Sequence, residues 1–349
     1  MIKTGEALIK RATIKNVADH AGVSIATVSR IVNGHSTVGE KVREHVSESI
    51  KVLKFRPNVI GRNLKTSRTH VFGIVVPTLS NPVFAEMVGG IQEEARLAGY
   101  STLVTMNEYQ EGEEEMAVEA MLNNRVEGLI LTVADADNSL LCDRLDDENI
   151  PYVLLYNKPE TAKRCAVAVD NAAGGARAAE EFVKFGHTRS AVIAGRFSDS
   201  DRSLARYEGF ADYFKSEGLP PPLLAEVDFS KANVQVAIAE LLSQSNPPTA
   251  IFCSTDIIAI SVIGIITGLG LNVPGDISVI GFDGIDVGQL IQPSLTTISQ
   301  PSRRMGRVAV QLLMDRLEGG EETLRLMPFR FCAGESVTRV KQIEVEILA

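Results

Sequence analysis

Apolar residues recur at helical spacing through the first fifty positions. From residue 71 they give way to short apolar runs that alternate with amphipathic stretches. In residues 13–33, Ile14, Val17, Ala18 and Ala21 share one helix face, with Thr13 placed as the N-cap. Gly22 allows the turn that follows. Ser24 then caps a second helix in which Val28, Ile31 and Val32 point inward, leaving Ile25, Ala26, Ser29 and Arg30 on the free face. Two short helices about a glycine turn, the second showing small residues and an arginine, form a helix-turn-helix that can enter a major groove. Over residues 40–53, Val42, Val46, Ile50 and Leu53 predict a third, amphipathic helix that closes a small core.

Residues 57–65 are too short for a stable isolated helix, and Gly61 costs about 1 kcal/mol against alanine. On spacing alone the stretch is a linker. Beyond it, strands are predicted at 72–76, 101–106, 128–132 and 152–155, with helices at 84–98, 113–123 and 140–147. A second round starts near Asp170, with helices at 173–185, 204–216, 232–243 and 257–269 and strands at 191–194, 250–253 and 278–282. A helix over 304–317 and a strand over 328–331 then cross back. Two successive strand–helix series predict two doubly wound parallel-sheet subdomains, and such sheets take ligands beyond the carboxyl ends of their strands.

The charge distribution sharpens this division. The chain of 349 residues carries a formal net charge of −9, yet residues 1–70 are at +8 and the remainder at −17. A small basic segment on a large acidic body fits a DNA reader with a separate sensing domain. The cysteines (Cys142, Cys165, Cys253 and Cys332) lie far apart without metal-ligand spacing, which predicts free thiols and a reducing cytoplasm. The start lacks an apolar core of signal-peptide length, and the most apolar stretch, 250–273, is broken by Ser254, Thr255 and Asp256, so no membrane partner is expected.

Residues 13–33 resemble the headpiece of the lactose-repressor/galactose-repressor family of bacterial transcription regulators. The resemblance runs on through Ser80-Asn81-Pro82-Val83-Phe84, Asp170-Asn171-Ala172-Ala173-Gly174, Phe185-Gly186-His187, Arg206-Tyr207-Glu208-Gly209-Phe210, Ile277-Ser278-Val279-Ile280-Gly281-Phe282-Asp283 and Leu295-Thr296-Thr297-Ile298. It implies an α/β protein: an all-α helix-turn-helix headpiece (12–56), a hinge helix and linker (57–69), and an effector-binding regulatory domain (70–340) similar to periplasmic sugar-binding proteins. Within that domain one subdomain takes about 70–170 and 301–328, and the other about 171–300 and 329–340.

The family likeness assigns residues to DNA and to effector. Ile25 and Ala26 stand where the family chooses its operator. Neither has a hydrogen-bonding side chain, so direct reading there would be apolar, as with a thymine methyl. Arg30 can take guanine O6 and N7 together, or else pair with a phosphate. Thr13, Ser24, Thr27, Ser29 and Asn33 complete the headpiece set, Ser24, Thr27 and Asn33 matching phosphate contacts. In the hinge, Leu64 between Arg62 and Lys65 matches a minor-groove wedge, although Gly61 stands where the family often has alanine.

For the effector, Phe84 and Phe229 match apolar walls, and Arg206 and Asp283 match the pair that holds a polar edge, a fork of donors opposite two acceptors. Thr255 adjoins them, and Asp256 follows where sugar-binding members often carry asparagine. Asp170 and Asn171 are weaker effector candidates, the alternative being that they shape the crossover turn, and Arg196 and Arg202 are loop arginines that either meet an anionic effector or are simply solvated. The competing reading for Arg206 and Asp283 is a salt bridge confined to the protein.

No catalytic residues, metal ligands or cofactor motifs emerge: no phosphate loop follows the first strand, and the histidines show no ligand spacing. The expectation is therefore a cytoplasmic, homodimeric, ligand-responsive regulator. It would be a repressor of genes for carbohydrate or sugar-acid use that binds a double-stranded, palindromic operator and responds to a sugar or sugar acid. The alternatives are a purine-type, corepressor-dependent regulator and a solute-binding protein without a DNA role.

Overall fold

The computed structural model describes residues 12–32, 38–55, 68–110, 112–160, 163–228, 231–321 and 323–340. Two compact units result, Met1–Thr69 and His70–Ala349.

In the first unit, α1 (Ile14–Ala21) begins at a capping box. Asn16 donates its backbone N–H to the Thr13 hydroxyl, and its side-chain oxygen accepts from the Thr13 backbone. It ends at Gly22, whose φ of +65° is the left-handed conformation the turn requires. Helix α2 (Ile25–Val32) starts at Ser24, whose hydroxyl accepts from the Thr27 backbone. Helix α3 (Glu40–Val52) lies against both, and Val17, Ala18, Ala21, Val28, Val46 and Phe55 form the core. The expected inward face of α3 is corrected at one position. Val42 is 36% exposed, because the small core is closed by Val46 and Phe55 and does not extend to the first turn of the helix.

The second unit holds two six-stranded sheets of the same plan. In the first, β1 (Val71–Val76), β2 (Ser101–Met106), β3 (Gly128–Leu131), β4 (Tyr152–Leu155), β5 (Ala166–Ala168) and β11 (Leu324–Leu326) run parallel in the order β11-β5-β4-β3-β1-β2. In the second, β6 (Ser190–Gly195), β7 (Leu223–Val227), β8 (Ala250–Cys253), β9 (Ser278–Asp283), β10 (Thr296–Ser299) and β12 (Arg330–Cys332) take the order β12-β10-β9-β8-β6-β7. Here β12 pairs antiparallel with β10, a departure from an all-parallel sheet. The central strands are continuous buried runs, as parallel strands covered on both faces must be.

Helices α4 (Pro82–Leu97), α5 (Glu113–Asn123), α6 (Leu140–Asp147) and α11 (Ser302–Leu317) belong with the first sheet. Helices α7 (Asn171–Lys184), α8 (Asp201–Ser216), α9 (Lys231–Leu242) and α10 (Asp256–Gly268) belong with the second. The chain thus changes sheets after β5, after β10 and after β11.

His187 ties the second sheet to the chain's last described stretch. Its Nε2 faces the Thr338 carbonyl at 2.9 Å and its Nδ1 the Thr249 hydroxyl at 2.9 Å. A carbonyl only accepts, so Nε2 carries the proton. Burial holds the pKa of this imidazole below its usual 6.5. The unfolded chain therefore takes up a proton near pH 6.5 that the native ring resists, and stability falls as pH drops from 6.5 toward the folded-state pKa. Melting temperature followed from pH 7.5 to 5 should decline less steeply in His187→Gln than in the wild type. Equal slopes would show that His187 does not contribute.

Candidate functional site

One end of each strand is where the chemistry gathers. The segments leaving the carboxyl ends of β1, β2, β4, β6, β8, β9 and β10 converge on a narrow cavity, as doubly wound sheets dictate. Asp283 ends β9 and is buried, held at φ +129°, a conformation that costs a residue with a Cβ about 1–3 kcal/mol. Its Oδ1 accepts from Gln300 Nε2 at 2.9 Å and lies 3.7 Å from Arg206 Nη1. Its Oδ2 accepts from Asn81 Nδ2 at 3.1 Å. Asn81 caps α4 of the first sheet, so this carboxylate joins the two halves of the unit.

Arg206 lies on α8, buried, its guanidinium 3.6 Å above the Phe282 ring. Its Nε donates to Asn171 Oδ1 at 2.9 Å and its Nη1 to the Ser254 carbonyl. Burial lowers its pKa to about 10, with Asp283 opposing that shift. Behind them Asp256 accepts from the backbone of Gly284 (2.7 Å) and Ile285 (2.9 Å) and from the Thr297 hydroxyl (2.6 Å). Burial, and then the Asp283 charge, push its pKa up to about 7, and burial raises that of Asp283 as well.

Arg202 is corrected from a loop residue to a buried helical one. Ser200 accepts from the Ser203 backbone, so α8 starts at Asp201, a turn earlier than the apolar spacing indicates. Arg202 Nη1 donates to the Val133 carbonyl at 2.7 Å and pairs with Asp201 at 3.1 Å. Asp201 also accepts from Ala136 N (3.0 Å) and Asn157 Nδ2, which makes a second polar join between the halves. Arg196, half exposed, sits 3.8 Å from Asp228. Asp170 caps α7 by accepting from Ala173 N, and Asn171 is the buried partner of Arg206 instead of a turn residue.

Of the expected effector residues, Phe84, Arg206, Thr255 and Asp283 line this one cavity, and Phe229 lies outside the described residues. Phe84 meets Tyr156 edge-on at 5.6 Å, and Thr255 caps α10 by accepting from Ile258 N. Sequence reasoning missed Asn81, Tyr109, Tyr156 and Gln300, each of which reaches the cavity from a loop or strand end whose spacing carries no periodic signal. In the headpiece, Thr13, Ser24, Ile25 (48%), Ala26 and Arg30 are exposed, while Thr27 and Ser29 are half-buried. The free face of α2 is thus open, with Ser29 partly withdrawn. Asn33, Arg62, Leu64 and Lys65 lie outside the described residues.

Residues 13–58 match the bacterial regulatory proteins of the lacI family, and residues 179–337 a periplasmic binding protein-like domain. The HTH-type transcriptional repressor PurR of Aliivibrio salmonicida is 31% identical over 317 residues, covering 90% of this chain and 95% of that protein. This chain belongs to the lacI family. The PurR repressor of Photorhabdus laumondii is 34% identical over 310 residues, covering 88% and 90% of the two chains. A lac repressor dimer solved with operator and the anti-inducer ONPF is 28% identical and matches this fold with a TM-score of 0.84, over 94% of this chain and 100% of that one. The regulator is accordingly a ligand-responsive, DNA-binding repressor, and its family consists of transcription regulators. Among the described residues, no helix is long and apolar enough to cross a membrane.

Proposed function

We propose that this repressor binds a near-palindromic operator as a cytoplasmic homodimer, and that a small-molecule effector held between its two sheets sets its operator affinity. The observation that carries the reading is the buried Arg206–Asp283 pair at the carboxyl ends of the strands, shared by residues from both sheets. A donor fork and an acceptor facing one cavity fit the polar edge of a sugar or sugar acid. A ligand that bound the two arrangements of the sheets unequally would shift the balance between DNA-competent and DNA-released states.

At the DNA, Ile25 and Ala26 would meet base edges by apolar contact and Arg30 would reach guanine. Thr13, Ser24, Thr27 and Ser29 would fix the helix on phosphates. One such helix reads a half-site, hence the dimer. Arg62, Leu64 and Lys65 would supply the hinge contacts in the minor groove.

Operator binding by the full chain, followed by fluorescence anisotropy, tests the first half. Affinity should fall steeply with the logarithm of salt concentration, because the basic first 70 residues displace counterions. Arg30→Ala should cost about 1–3 kcal/mol and relax one base position. Uniform weakening over all operator variants would reassign Arg30 to phosphate. A salt-independent affinity would count against the DNA reading of the headpiece.

A thermal-shift panel of sugars, sugar acids and purines tests the second half. A compound that raises the melting temperature should also change operator affinity, and neither response should survive in Asp283→Asn. A second reading, a repressor that needs a purine-type corepressor, is favoured by the aromatic wall of Phe84 and Tyr156, which suits a flat ring. The sign separates the two. A corepressor tightens operator binding, and an inducing sugar loosens it.

A further inference from the structure

We infer that Glu127 is a positioning residue for operator binding: its carboxylate clamps the backbone at His70, where the regulatory unit receives the DNA-binding segment. The inference rests on the reading of the protein as a homodimer that engages two half-sites at once.

The two units of the chain divide between Thr69 and His70. Strand β1 starts at the next residue, and its register sets Val71 beside Ser101 of β2. The His70 carbonyl still belongs to that ladder and accepts from Ser101 N at 2.9 Å. Its N–H does not. An extended residue sends both groups to the same neighbouring strand, but His70 has φ +52°, and its N–H donates instead to Glu127 Oε1 at 2.6 Å, on the β3 side. A side chain with a Cβ keeps such a backbone only where its surroundings hold it. Here the hold is a carboxylate, the stronger class of acceptor.

The carboxylate is itself fixed. Its Oε2 accepts from the Tyr100 hydroxyl at 2.9 Å, and the Glu127 N–H donates to the Val71 carbonyl at 2.8 Å. Tyr100 is buried, stacks on Phe72 at 4.0 Å and faces the His70 ring at 5.1 Å. His70, Tyr100 and Glu127 each stand one residue ahead of a strand, β1, β2 and β3 in turn, so three strand entries are tied at one point. Packing alone would accept any long side chain at this half-buried position. Both oxygens of Glu127 are spent on the joint.

A dimer reads its operator only when both headpieces reach their half-sites together. A tether of fixed origin keeps the second headpiece concentrated near the second half-site. Releasing His70 adds mobile backbone to both tethers, and that freedom is lost again on the full operator. An isolated half-site makes no such demand.

The test uses the full chain, wild type and Glu127→Ala, with duplexes that the wild type selects from a random pool, alone and with adenine or D-galactose as probe ligands. Anisotropy titrations compare the full two-fold site, its half-site, and the full site with a base pair inserted at its centre. Glu127→Ala should bind the full site about tenfold more weakly or worse. It should match the wild type on the half-site and lose less than the wild type from the insertion. A merely structural carboxylate would move the melting temperature and leave the spacing preference as it was. Glu127→Gln, which keeps an acceptor without the charge, should fall between the two, and it replaces the alanine variant if that chain does not fold. In the DNA-free proteins, the His70 amide should exchange hydrogen at least about tenfold faster in the variant, with the Ile74 amide unchanged.

A variant with wild-type affinity and spacing preference, or with a His70 amide as protected as before, overturns the assignment of Glu127. A wild type that selects no two-fold duplex, or binds it no more tightly than a half-site, overturns the homodimeric reading on which the inference stands.

Discussion

Replacing Asp283 by alanine should destabilise the regulatory unit by about 3–5 kcal/mol, the usual cost of leaving one member of a buried ion pair uncompensated. The reason lies in its partners. Arg206 would keep its charge in a buried site with Phe282 beneath it and the neutral Asn171 Oδ1 and Ser254 carbonyl as acceptors, while Asn81 Nδ2 and Gln300 Nε2 would each lose an acceptor. The loss would also cut a polar join between the sheets. Asp283→Asn keeps the shape and one acceptor oxygen, so it should cost clearly less and is the better variant for asking about ligand. Urea unfolding of both variants measures the difference. An alanine variant within 1 kcal/mol of the wild type would mean that solvent reaches Arg206 readily, and the description of a desolvated pair would fail.

A larger steric effect is expected from Gly175→Ala. A Cβ there would stand 2.0 Å from the Arg206 carbonyl oxygen, and the contact is reciprocal, since a Cβ on Gly209 would stand 1.9 Å from the Ala172 carbonyl oxygen. Both obstacles are backbone, so no rotamer change relieves them and α7 and α8 must separate. Overpacking of this kind costs about 3 kcal/mol or more. Because the clash is with Arg206 itself, the shift also carries its guanidinium away from Asp283, so ligand response and stability should fall together. Gly264→Ala is the control: it lies within α10, meets nothing within 4 Å, and should stabilise by up to about 1 kcal/mol. Gly175→Ala behaving like Gly264→Ala would show that the two helices part at no cost.

The same device recurs in the other half. A Cβ on Gly90 would stand 2.0 Å from the Arg303 carbonyl oxygen, and one on Gly306 would stand 2.3 Å from that of Met87. Gly90 and Gly175 therefore serve close helix packing in both halves. Their spacing along the chain holds no sign of this, because the partner glycine lies on a helix far away in sequence.

What the sequence by itself determined was everything written in local patterns. The caps at Thr13 and Ser24, the turn at Gly22, the strand–helix alternation and the opposed charges of the two segments are properties of neighbouring residues, and they were legible as such. Asp283 and Arg206 could be named as a pair because the family likeness marks both, one at a strand's carboxyl end and the other on a helix ahead of a glycine. Local patterns misled where capping outran apolar spacing. Ser200 and Asp201 start α8 early, and that carries Arg202 from an expected loop into a buried pair with Asp201.

Only the tertiary structure decided which polar groups share the cavity. Asn81, Tyr109 and Gln300 come from segments distant in sequence, and the 202-residue separation of Asn81 from Asp283 is closed by two sheets that face one another at their carboxyl ends. Whether a buried acceptor has found its donor depends on every chain segment packed around it. That the Gln300 side-chain carbonyl is buried with no partner among the described residues is therefore a property of the assembled fold and not of any stretch of sequence.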